Sequence, residues 1–148
     1  MKGMSLITRT ISRIVSGLAF LFGVYLVLYG HLSPGGGFAG GVVIAVSFVL
    51  LLLACGKELT FEIIDYDQAS VMESLGALLF LGAGLSGVFN SWFFANIKHG
   101  TVWSEGTPGQ LVSGGMIPFC NIAIGMKVGA ALFAVILVLA AFKAPKKE

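Results

Sequence analysis

From Ile14 to Gly56 the chain carries no Asp, Glu, Lys or Arg. Soluble domains average about 25% charged residues. Here the figure is 11% over 148 residues, with 57% hydrophobic residues and a mean hydropathy of +0.96. In lipid each backbone N–H and C=O must be satisfied within the protein, so a charge-free run of this kind folds as membrane-spanning helix. Yet its middle reads GHLSPGGGFAGG, Gly30 to Gly41, with six glycines, one proline and one histidine. Glycine and proline are poor helix formers and histidine is costly to bury in a membrane. The stretch therefore divides the run in two.

A spanning helix needs about 20 mostly apolar residues. Four segments qualify: 14–32, 38–56, 70–93 (ending at the aromatic cluster SWFF) and 118–142. The expected fold class is an all-α polytopic membrane protein with four transmembrane helices. The chain reads as one domain over 1–148, divisible into halves 1–68 and 69–148. The start MKGMSLITRTISR lacks a cleavage site after its apolar run, so the first helix is read as uncleaved.

Basic residues set orientation. With the N-terminus in the cytoplasm, the inner segments hold Lys2, Arg9, Arg13, Lys57, Lys143, Lys146 and Lys147, and the outer segments only Lys98. Both termini are expected inside. The glycine stretch and residues 96–117 are expected outside. The inner loop KELTFEIIDYDQ carries Glu58, Glu62, Asp65 and Asp67 and reads as a docking or solvated face. A net charge of +2 is too small to suggest nucleic acid. Cys55 and Cys120 fall near opposite faces and belong to no CxxC pair, so neither a disulfide between them nor a metal site is expected.

SPGGGFAGG at 33–41 echoes TPGQLVSGG at 107–115, four of nine positions being identical at an offset of 74 residues. A glycine-rich chain can produce such an echo by chance. Common descent would make each half two helices joined by an outer glycine loop, a parallel repeat.

The first candidate site is the loop of Pro34, Gly35, Gly36, Gly37, Phe38, Gly40 and Gly41, with His31 at its start. One reading is a tight hairpin, capped by Ser33 with Pro34 at the first helical position, whose glycines let helices pack closely. The other is an irregular backbone lining an ion path at its outer mouth. Pro108, Gly109, Gly114 and Gly115 form the second glycine segment, and Glu105 matches His31 at the same offset.

The second candidate is Lys127. Nine residues beyond Pro118, it lies about 14 Å deep, near the centre of a hydrocarbon core about 30 Å thick. A charge there costs several kcal/mol unless paired or hydrated, and marks an ion or proton path by default. Its alternative is a structural or snorkelling lysine. Glu73, one turn into the third helix, is a relay candidate, or an acid placed to suit the helix dipole. Helix-rise counting separates it from Lys127 by about 10 Å along the membrane normal. A direct pair is therefore not expected, and water or another subunit is expected to neutralise Lys127. Two GxGxxG matches, at Gly35 and Gly82, lack the strand a dinucleotide site requires. No cofactor, metal site or catalytic residue is expected.

The motif of His31, Pro34, Gly35, Gly36, Gly37, Phe38, Gly40 and Gly41 resembles that of the B subunit of Mrp/Mnh-type sodium/proton antiporters. SGGMIPFCNIAIGMKVGA resembles the fuller form of that domain, with a charged residue inside the fourth helix. The resemblance implies an accessory, non-catalytic membrane subunit of a multi-subunit Na+/H+ antiporter in a prokaryotic cell membrane, near a sodium path built with neighbouring subunits. It implies equally the homologous subunit of membrane-bound hydrogenases or sulfur reductases, where an antiporter-like module is joined to a redox arm. A purely structural assembly subunit is the third reading.

Overall fold

The computed structural model describes residues 4–33, 35–56, 66–88, 106–107, 109–111 and 113–141. Four helices occupy most of them: α1 (Leu6–Leu28), α2 (Gly36–Cys55), α3 (Tyr66–Val88) and α4 (Ile117–Ala141). Each is long and apolar enough to cross a membrane, and among the described residues there is no strand. The chain is a multi-pass membrane protein. Its large apolar side chains point outward freely, Leu6 being 81% exposed, as lipid permits and water does not.

Helices α2 and α4 match their expected bounds closely, and α1 and α3 do not. α1 begins eight residues before 14, because Ser5 accepts a hydrogen bond from the Thr8 N–H at 3.3 Å and caps the helix there. Arg9 and Arg13 thus lie on its first turns; a helix continues past the charge-free run into the interface. It stops at Leu28, with Gly30 to Ser33 in turns. α3 begins at Tyr66 rather than 70, and the expected continuation to 93 lies outside the described residues. The acidic loop before Tyr66, Lys2, Lys57, Lys98, Glu105 and the basic C-terminal tail lie outside them too.

The helices form a row. α1 packs on α2, α2 on α4 and α4 on α3, with α1 touching α4 lightly. Between apolar helices in lipid no hydrophobic force acts, so close van der Waals contact through small residues has to do the work. A Cβ on Gly40 would lie 2.6 Å from Val27 Cγ2 and 2.9 Å from the Gly23 carbonyl. One on Gly41 would lie 2.7 Å from the Gly125 carbonyl, and one on Gly76 2.8 Å from the Ala123 carbonyl and the Lys127 nitrogen. Gly37 and Gly41 meet Asn121, Gly125 and Gly129 in sequence order, so α2 and α4 run parallel.

Further along, larger side chains take over. Leu52, Ala69, Phe133, Ala134 and Leu137 form a buried cluster. Phe48 bridges Phe20 of α1 and Phe133 of α4, with centroids 5.7 and 5.4 Å away, distances at which aromatic pairs attract. Cys55 and Cys120 are free thiols at opposite ends of the α2/α4 pair.

Within the echo between 33–41 and 107–115, the paired glycines lie in different local structure. Gly40 and Gly41 lie inside α2, whereas Gly114 and Gly115 precede α4 with φ of 84° and 65°.

Candidate functional site

The first glycine loop is built around one side chain of α4. Asn121 is 9% exposed, and its Oδ1 accepts the Gly37 N–H at 3.4 Å. That N–H belongs to the first turn of α2, which has no carbonyl partner of its own. A Cβ on Gly30 would lie 2.9 Å from Asn121 Nδ2, and one on Gly37 would overlap the Asn121 carbonyl. Gly35 (φ 145°) and Gly36 (φ 61°) supply the backbone angles that other residues resist. α2 therefore begins on Gly35 with no side-chain cap. The expected Ser33 cap is absent: Ser33 Oγ donates instead to the Tyr29 carbonyl at 3.1 Å. Pro34 and Pro108 lie outside the described residues.

His31 ties the two glycine segments together. Its Nε2 lies 3.2 Å from the Gln110 carbonyl, which only accepts, so Nε2 carries the proton. Ser113 Oγ donates to the same carbonyl at 2.7 Å. His31 Nδ1 and Asn121 Nδ2 are buried without a partner among the described residues. His31 and the 109–115 segment thus lie together, as does Gly114, whose Cβ would reach 4.0 Å from His31 Cδ2. Phe38 turns outward, 63% exposed. Asn121 escaped the sequence reading, although an amide within an apolar helix was the signal for it. Replacing it by Leu strands the Gly37 N–H. We expect about 1–3 kcal/mol of destabilisation, read as an earlier thermal transition, and a smaller shift for His31→Gln.

Lys127 and Glu73 meet. Lys127 Nζ donates to Glu73 Oε1 at 3.4 Å, which corrects the expectation that they do not pair. Helix-rise counting failed on register. α3 starts four residues early, so Glu73 lies about 10 Å along it rather than about 5 Å. Gly76 presses on the Lys127 backbone and fixes its level one turn beyond Glu73, a gap two extended side chains close. Lys127 lies ten residues from Ile117, about 15 Å into α4, so the pair sits deep along the span. The side chains are 47% and 38% exposed on the bundle surface. Among the described residues, no group of three His, Cys, Asp or Glu side chains is placed to hold a metal.

A family described as a domain related to the MnhB subunit of Na+/H+ antiporter matches residues 7–134. An uncharacterized protein of Methanocaldococcus jannaschii is 37% identical over 122 residues, 80% of this chain and 45% of that protein. The "Putative antiporter subunit mnhB2" of Staphylococcus aureus is 35% identical over 79 residues, 53% of this chain and 55% of that one. The chain spans about half the length of these relatives. Among solved structures, a chain of the membrane-bound sulfane sulfur reductase, an archaeal respiratory membrane complex, superposes with a TM-score of 0.77 at 34% identity, covering 91% of this chain and 57% of that one.

Proposed function

Because the chain belongs to the family of domains related to the MnhB subunit of Na+/H+ antiporters, we propose that it is a non-catalytic membrane subunit of a multi-subunit Mrp-type cation/proton antiporter that helps form the sodium path. The observation that carries this is the family match over residues 7–134. The half-exposed ion pair deep in the span supports it, because charges at such depth are retained where ions or protons move. In this reading both termini are cytoplasmic, Lys127 and Glu73 respond to charge at mid-membrane, and His31 with its glycine loop shapes the outer mouth. The transported ions are Na+ and H+.

A second reading is favoured by the likeness to the sulfane sulfur reductase chain over 91% of this one. In that reading this chain is the homologous subunit of a membrane complex that couples redox chemistry to ion pumping. Both readings predict that deleting this subunit abolishes sodium-dependent proton movement in inverted membrane vesicles, and that re-expression restores it. Undiminished movement in the deletion strain contradicts both. A requirement for an electron donor in the vesicles selects the second.

A further inference from the structure

We propose that the seam between α3 and α4 at Glu73 and Lys127 is an intersubunit interface, covered by a transmembrane helix of another subunit that brings an oxygen-bearing polar side chain to Lys127. The inference rests on the reading of this chain as one subunit of a hetero-oligomeric membrane complex.

Three observations support it. The first is unfilled capacity. A lysine ammonium has three donors, and among the described residues Lys127 uses one, at 3.4 Å. Charge-assisted bonds settle at about 2.7–2.9 Å. Both side chains remain well exposed at a depth where lipid offers no acceptor and snorkelling to the interface is too long a reach.

The second is a polar stripe that leads to the pair. Asp67, Ser70 and Ser74 follow the three- and four-residue spacing that places them on one face of α3, with Glu73 on its margin. Asp67 and Ser74 are exposed and Ser70 is half-buried. Ser74 Oγ returns its proton to the Ser70 carbonyl at 2.9 Å, which leaves its lone pairs outward. Beyond Ser74 the same spacing continues with exposed Leu78, Leu81 and Leu85, so the polar part of this face is confined to the turns beside the ion pair.

The third is contrast. Among the four helices a groove of about 390 Å³ is lined wholly by apolar residues, among them Phe20 of α1, Phe48 of α2, Met72 of α3, and Met126 and Phe133 of α4. Neither member of the ion pair lines it. Polar groups are thus segregated from the surface that suits acyl chains. A helix with an oxygen acceptor, a carboxylate above all, completes the coordination of Lys127 and covers the stripe.

The test is photo-crosslinking in the intact complex. A benzophenone amino acid replaces exposed Ser74, the complex is kept in its native membranes, and irradiated material is resolved by mass. The expected product is one adduct joining this chain to one other membrane subunit, at a yield above half. Adducts with lipid alone, or with a second copy of this chain, overturn the proposal. A native gel of the same membranes separates the two failures. If the chain migrates in the large complex without a subunit adduct, the interface is wrong and the subunit reading stands. If it migrates alone, both fall.

Discussion

Gly37→Leu abolishes accumulation of the chain in the membrane, whereas Gly17→Leu and Gly82→Leu leave it near the normal level. A side chain at position 37 would overlap the backbone of Asn121, and backbone cannot rotate away as a side-chain tip can. The α2/α4 contact then opens along its length, since Gly41, Gly125 and Gly129 share it. Overpacking a tight site costs typically 1–3 kcal/mol and occasionally more. With backbone as the obstacle we expect at least about 3 kcal/mol, a large share of the about 5–15 kcal/mol that holds a domain folded. Gly17 and Gly82 have nothing within 4 Å of an added Cβ, so the same substitution there meets lipid or open space. Membrane quantification by immunoblot decides the matter. Equal accumulation of all three variants contradicts the packing account of the glycine loop.

The second large effect concerns the ion pair. In water a pair this exposed contributes only about 0–1 kcal/mol. At the centre of a membrane helix a lone charge costs about 2.5–3.5 kcal/mol on insertion scales. Removing one partner is therefore worse than removing both. Glu73→Gln leaves the Lys127 ammonium under-compensated, and we expect the amount of assembled complex to fall several-fold. Lys127→Met keeps the length and apolar stem of lysine at that contact, so assembly is expected to fall less than in Glu73→Gln. Sodium-dependent proton movement in vesicles should nevertheless fall at least ten-fold in Lys127→Met. The double variant should recover assembly but not transport. Equal transport in wild type and Lys127→Met, at equal complex levels, assigns the pair a structural role instead.

How much of this was legible in the sequence differs by element. The existence of four spanning helices followed from apolar length alone, and α2 and α4 came within two residues of their bounds. α1 and α3 were displaced because charge was used to mark helix ends. Arg9, Arg13 and Asp67 all lie within helices, as charges at the interface are free to do. Glycine packing was one of two readings of GHLSPGGGFAGG, and the close approaches of Gly37, Gly40 and Gly41 support it.

The Glu73–Lys127 pair was missed for a different reason. Rise per residue gives depth within one helix and says nothing of how two helices slide. That register is set by Gly76 against the α4 backbone, a three-dimensional fact. Asn121 stood in plain view, but only the fold shows that Gly30, Gly36 and Gly37 surround it.

As one subunit of an antiporter-type membrane assembly, this chain should not stand alone in the membrane. The most direct measurement is purification of the tagged chain, at its native level and in mild detergent, with identification of everything that accompanies it. The expected result is stoichiometric recovery with large antiporter-type membrane subunits, and with iron–sulfur subunits besides if the complex is redox-driven. Recovery of the chain alone, stable and moving ions by itself in liposomes, contradicts it.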